Sequence, residues 1–231
     1  MSRKIKISVI CILLVTGLLF LVSLYSINKF TPYINEMPLL ITKKIEKNHS
    51  FYVPITSINQ YLSNAVIASQ DKRFYQNSGI DTRGTFRALY YTIFKGQRQG
   101  ASTITEQLAK NVFFQDHDSL RSDIETKTMA LLITKKYSKD KILEMYFNDI
   151  YYGNGAYGLA AASKSFFKTS PQLLTLGQSA FLAALINAPS YYATHHSEAT
   201  NRAAIILNQM KQNNFITQNQ LQTGLQELTA P

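Results

Sequence analysis

Residues 7–28 (ISVICILLVTGLLFLVSLYSIN) form a run of 22 without a charge, held between Lys6 and Lys29. A helix needs about 20 apolar residues to cross a hydrocarbon core of roughly 30 Å, so this run reads as a transmembrane helix. Arg3, Lys4 and Lys6 precede it. The positive-inside rule then keeps the N-terminus in the cytoplasm and sends the rest of the chain outside. A cleavable signal peptide has an apolar region of about 7–15 residues and a small-residue cleavage site. This run is longer, and no A-x-A-like site precedes Lys29. The expected organisation is a cytoplasmic tail at 1–6, an anchor at 7–28, a linker at 29–54 and one exported domain at 55–231.

The domain is long enough to bury its own core. Hydrophobic residues make up 45% and charged ones 16% of the 231, which excludes a disordered or fibrous chain. Cys11 is the only cysteine, so an intramolecular disulfide and a cysteine-rich metal site are both excluded. The four histidines have neither HExxH nor zinc-finger spacing. Formal net charge is +10, and residues 1–28 hold three bases and no acids, which leaves 10 less 3, or +7, outside. A basic domain beside a bilayer suits anionic lipid or an anionic lipid-linked substrate. Nucleic acid, the usual partner of a basic protein, does not fit an exported domain.

Residues 29–54 contain Pro32, Pro38 and Pro54 and read as a linker with one short strand at Leu39 to Thr42. From residue 55 the periodicity is helical almost throughout. Helices are expected from about 55 to 69, 82–94, 103–114, 120–136, from Ser138 onward, and at 174–187, 197–213 and 217–227. The Gly153 to Gly158 loop (GNGAYG) interrupts them. The expectation is a mainly α domain.

The segment Gly100 to Asn111 (GASTITEQLAKN) carries the most chemistry. Thr103 followed by Glu106 is a capping box, so a helix starts there. A helix N-terminus attracts anions, and Thr103, Gln107, Lys110 and Phe114 share one face. Gln107 and Lys110 then reach a phosphate over the first turns. The competing reading is a capped surface helix with a solvated lysine.

Four segments, AVIASQDKRFYQNSGID (65–81), RALYYTIFKGQRQGASTITEQLAKN (87–111), KKYSKDKILEMYFNDIYYGNGAYGLAAASKSFF (135–167) and LGQSAFLAALINAPS (176–190), resemble the successive motifs of the family-51 glycosyltransferases. These are the peptidoglycan glycosyltransferases, monofunctional or joined to a penicillin-binding domain. The resemblance runs from about 45 to 225. It implies a lysozyme-like helical fold with a small membrane-dipping jaw, and polymerisation of lipid II. A glutamate of the first motif deprotonates the acceptor hydroxyl, which attacks the donor's anomeric carbon and releases undecaprenyl pyrophosphate. A second glutamate and basic residues assist the pyrophosphate side, often with a divalent metal. No other cofactor is expected.

The reacting positions depart from that pattern. The family's Glu-Asp-x-x-Phe-x-x-His-x-Gly reads QDKRFYQNSG here, so Gln70 stands at the general base and Asn77 at the histidine. An amide has no useful basicity, and losing a positioned base costs roughly 10²–10⁴-fold. Counted without gaps, the second glutamate falls on Thr126, and a one-residue shift offers Arg121 and Glu125 instead. Glu125 also reads as capping-box partner of Ser122. The basic residue between the two motifs falls near Asp118, Glu106 replaces the first paired glutamine, and Gln178 replaces a glutamate as a structural residue. Gly79, Gly100, Ser102, Thr103, Gln107, Lys110, Asn111, Asn148, Gly153 and Gly155 match the pattern.

The expected substrate-binding set is Asp71, Phe74, Gly100, Ser102, Thr103, Gln107, Lys110 and Asn111, with no metal ligands. The resemblance implies lipid II, glycan strands and other cell-wall synthesis proteins as partners. It places the chain in the bacterial inner membrane, single-pass, with its domain periplasmic or extracellular. Three readings follow: a degenerate homologue that binds lipid II or glycan, an active transglycosylase using Asp71, Glu106 or Glu125, and a basic surface protein with no cell-wall ligand.

Overall fold

The structure, a computed structural model, describes residues 3–96, 100, 102–114 and 120–229. It is all-helical. Tyr151 and Tyr157 form an isolated bridge, and no strand occurs among the described residues. Asp118 lies outside the described residues, as does the side chain of Arg121.

The first helix, α1 (Arg3–Ile34), contains the whole expected anchor and runs past it. A 22-residue stretch of it, Leu13–Ile34, is long and apolar enough to cross a membrane. The expected linker is not extended chain. The C-terminal end of α1 lies on α6 (Leu120–Lys136), with Ser26 and Phe30 buried. Ser23 accepts a hydrogen bond from Thr128 at 3.3 Å. Phe30 meets the rings of Phe113 and Phe114 at 5.9 and 5.0 Å. The Tyr137 hydroxyl donates to the Ile34 carbonyl at 2.5 Å.

The expected strand at Leu39 to Thr42 is a helix, α2 (Met37–Lys47). Pro38 sits in its first turn, where a missing N–H costs nothing. Met37, Ile41 and Ile45 recur at helical spacing and are buried against α7 (Lys139–Asp149).

The remaining elements are α3 (Gln60–Gln70), α4 (Thr82–Lys95), α5 (Ile104–Phe113), α8 (Leu159–Phe167), α9 (Leu176–Leu185), α10 (Pro189–Tyr192), α11 (His196–Gln212) and α12 (Gln218–Thr229). A 3₁₀ turn at Ile55–Ser57 leads into α3, whose N-cap is Asn59. The core joins α3, α9, α11 and α12 on one side and α5, α6 and α7 on the other. Asn148 ties the chain before α3 to α7: it accepts from Val53 N and donates to the Val53 carbonyl, both at 2.8 Å.

Two glycines hold close approaches. Gly79 has φ +102°, and a Cβ there would collide with the Ala130 carbonyl of α6. Gly153 has φ +92°, and its Cβ would collide with the Pro189 carbonyl. No L side chain fits either place without moving backbone.

Candidate functional site

Four elements meet at Gln70, the last residue of α3. Tyr146 on α7 is fully buried, and its hydroxyl donates to Gln107 Oε1 on α5 at 2.6 Å. Gln107 Nε2 donates to Gln70 Oε1 at 3.3 Å. Gln70 Nε2 donates in turn to Asn187 Oδ1, beyond α9, at 3.3 Å. Both ends of the Gln70 amide are therefore engaged in one directed chain. It faces a cleft of about 290 Å³ lined by Gln70, Asp71, Gly100, Ser102 and Thr103, among others. With Gln107, which bonds Gln70, six of the expected site residues are thus brought together. Asn187, which the sequence did not single out, is the further residue at Gln70.

Asp71 does not continue the helix. Its φ of −156° turns it inward as the C-cap of α3, with only 6% of its surface exposed. Asn77 Nδ2 donates to both its oxygens, at 3.1 and 2.9 Å, and Ile104 N donates to Oδ2 at 3.3 Å. Burial pushes the Asp71 carboxyl above the usual range, while these bonds and the Lys139 charge pull the other way. Asn77 also accepts from Lys139 Nζ at 2.9 Å and from Gly79 N at 3.0 Å. Asn77 thus serves as a structural bracket around Asp71.

The start of α5 differs from expectation. Thr103 is the N-cap, accepting from Glu106 N at 3.0 Å and donating to the Gly79 carbonyl at 2.6 Å. Glu106 does not complete a capping box. It turns to α6, where Lys127 Nζ donates to its Oε2 at 3.2 Å, and its Oε1 is buried without a partner. Burial raises the Glu106 carboxyl, Lys127 opposes the rise, and Asp71 and Asp123 add to it. The N–H groups of Ile104 and Glu106, expected to await an anion, are held by Asp71 and Thr103.

The other expected residues scatter. Phe74 is fully buried and packs in the core, with Lys139 Nζ 4.6 Å from its ring centre. Lys110 is exposed on α5 and is not part of the Gln70 cleft wall. Asn111 lies in a second cavity, with Lys44, Asp149, Tyr151 and Tyr157, and hydrogen-bonds the buried Asp149. Glu125 and Thr126 are buried on α6, and neither lines the Gln70 cleft. Ser122 stands inside α6, which begins at Leu120, and not at its N-cap. Gln178 is structural as expected: it completes a capping box with Thr175 at the start of α9. Among the described residues no cluster of three metal-ligating side chains occurs.

The family model and the curated relatives agree on one family. A family model described as Transglycosylase matches residues 38–211. A monofunctional glycosyltransferase of Staphylococcus aureus (strain JH9) is 36% identical over 195 residues, covering 80% of this chain and 72% of the relative. The corresponding protein of Staphylococcus saprophyticus is 37% identical over the same shares of each chain. Penicillin-Binding Protein 1A from Haemophilus influenzae is 27% identical with a TM-score of 0.38, over 54% of this chain and 16% of that one. With the family model matching well over half of its length, the chain belongs to the transglycosylase family of peptidoglycan synthesis.

Proposed function

We propose that this protein is a membrane-anchored member of that family that binds lipid II or nascent glycan strands and has lost the transfer chemistry. The observation that carries the reading is the Gln70 amide, bonded at both ends at the position of the general base. An amide in that chain holds the shape of the cleft and takes no proton from an acceptor hydroxyl. Thr126, at the second glutamate, has no ionisable group to set beside a pyrophosphate.

The chain's own residues supply binding rather than bond-making. Gln107 and Asn187 hold the residue at position 70, and Asp71 and Thr103 fix the first turn of α5 against the cleft. Lys110, exposed on the same helix, is the cation that its helical spacing from Thr103 and Gln107 offers to a phosphate. A divalent metal, which the family often uses, finds no ready set of acidic ligands among the described residues. No step is assigned to it. The apolar α1 and the basic residues before it support an anchor with the domain outside. Protease added outside intact spheroplasts then digests the domain.

One observation favours an active enzyme. Asp71 lines the cleft beside Gln70, and burial raises its carboxyl, the direction a general base requires. Purified full-length protein in detergent separates the two readings. With labelled lipid II, the binding reading expects retention of the lipid and no glycan polymer. Polymer that disappears in Asp71→Asn overturns it in favour of Asp71 as base.

A further inference from the structure

A further cavity, of about 160 Å³, opens between α8, α9, α11 and α12. It shares no lining residue with the Gln70 cleft, and Gly177 on its wall stands at the opposite end of α9 from Asn187. Its floor is aromatic. The Phe181 ring lies 6.2 Å from Phe166 and 5.7 Å from Phe167, at the end of α8, and 6.1 Å from the His196 ring of α11. Glu227 of α12 is the one carboxylate among the described lining residues, and no lysine or arginine is among them. Glu227 Oε2 accepts from Gly177 N at 2.6 Å, while the Thr175 hydroxyl and carbonyl hold Gln178 N and Ser179 N. Those three N–H groups at the start of α9 are therefore not offered to an anion. Glu227 forms no ion pair among the described residues. His196 Nε2 donates to the Ala193 carbonyl at 3.0 Å, which leaves Nδ1 of the neutral ring an acceptor. Gln178 Oε1 takes Thr175 N at 3.1 Å, so its NH₂ end is the one left to meet a ligand.

We propose that this cavity receives an arginine side chain of a partner protein. A carboxylate over aromatic faces, with no cation beside it, selects a positive group and rejects an anion. The guanidinium is a planar fork that pairs with a carboxylate, stacks on rings and sheds water readily, whereas a lysine ammonium is a strongly hydrated point charge. The volume is below the roughly 300 Å³ at which pockets for drug-sized ligands begin, so it suits one side chain rather than a whole small molecule. The Gln178 NH₂ group can donate to a backbone carbonyl, which a polypeptide carries beside its arginine and a free guanidinium does not. The site lies apart from the Gln70 cleft, so its failure leaves the lipid II reading untouched, and the reverse.

The test uses the full-length protein in detergent and saturation-transfer NMR with three probes, the N-acetyl methylamides of arginine, lysine and citrulline. Citrulline keeps the shape of arginine and lacks its charge. The wild type is expected to bind the arginine probe about tenfold or more tightly than the citrulline probe, and more tightly than the lysine probe. Glu227→Gln keeps an oxygen for Gly177 N and is expected to abolish the preference over citrulline, and its melting curve reports whether α12 still holds α9. Phe167→Leu removes a ring and leaves Glu227 in place, and is expected to weaken arginine about threefold or more. Equal binding of arginine and citrulline by the wild type overturns the site, as does a preference that survives in folded Glu227→Gln. If Glu227→Gln does not fold, unchanged arginine binding by Phe167→Leu overturns it instead. Tighter binding of lysine contradicts the arginine assignment. Saturation transfer to none of the three probes overturns the proposal outright.

Discussion

Gln107 Nε2 donates to Gln70 Oε1 across 3.3 Å while Gln107 Oε1 accepts from the buried Tyr146 hydroxyl at 2.6 Å. In this arrangement Gln107 turns its amide N–H toward position 70, which is presented with a donor. A donor suits a carboxylate at least as well as an amide oxygen. Asn187 has only to turn its amide over to present a second one. Gln70→Glu is therefore expected to fold, with stability within about 1 kcal/mol of wild type near neutral pH. Thermal unfolding followed by circular dichroism measures it. A loss several times larger means that the cradle has closed around an amide.

Asp71 accepts from Asn77 and from the first N–H of α5 while almost wholly buried. Asp71→Ala leaves both donors facing a cavity. The expected loss is about 2 kcal/mol, concentrated at the start of α5. Hydrogen exchange of the Ile104 amide reads it locally. Exchange unchanged from wild type contradicts the anchoring role.

Glu106 gives a pH dependence whose sign follows from burial. Its carboxyl is raised in the folded protein, so the charged form is disfavoured there. The resulting penalty is fully present above the folded pKa. It is relieved as pH falls from there toward the unfolded value near 4.5. Glu106→Gln removes the buried charge, keeps a neutral amide in its place, and leaves Lys127, which is 44% exposed, able to rehydrate. The variant is expected to gain about 1 kcal/mol at neutral pH. The gain shrinks as the buffer is made acidic, because protonated wild type comes to resemble the variant. Melting temperatures of both proteins across that range decide it. A variant less stable than wild type at neutral pH shows that the Lys127 pair outweighs burial.

Phe30 fastens α1 to the end of α5 through Phe113 and Phe114. Phe30→Ala is expected to cost about 3 kcal/mol of that docking. Limited proteolysis near residues 29–37 then runs faster than in wild type. An unchanged rate shows that α1 docks through other contacts.

These relationships were unevenly legible beforehand. The helices α3 to α7 and α9, α11 and α12 show apolar positions at helical spacing, and the periodicity found them. The α2 segment was misread because Pro32 and Pro38 signal broken chain. The structure carries α1 past Pro32 to Ile34 and places Pro38 in a first turn, where proline is tolerated. The α8 segment went unseen because its buried face is made largely of Ala160, Ala162 and Ser163, which give no apolar stripe. At the site, Gln70 was identifiable from motif order alone. Its partner Asn187 lies 117 residues away, beyond the reach of local spacing. Glu106 shows the limit of pattern reading. The Thr103–Glu106 spacing is right for a capping box, and a lysine on the neighbouring helix takes the carboxylate instead.

The central claim is that positions 70 and 126 together remove the transfer chemistry while the cleft is kept. Both act on one transition state, so restoring them one at a time is not expected to add simply. The direct measurement is glycan-chain formation from labelled lipid II, followed on a gel over hours. Wild type, Gln70→Glu, Thr126→Glu and the double variant are run beside an ordinary family member. Wild type is expected to make no polymer, Gln70→Glu little, Thr126→Glu less still, and the double variant the most. Polymerisation by wild type at a rate comparable to the ordinary family member contradicts the account, because another carboxylate must then serve as the base.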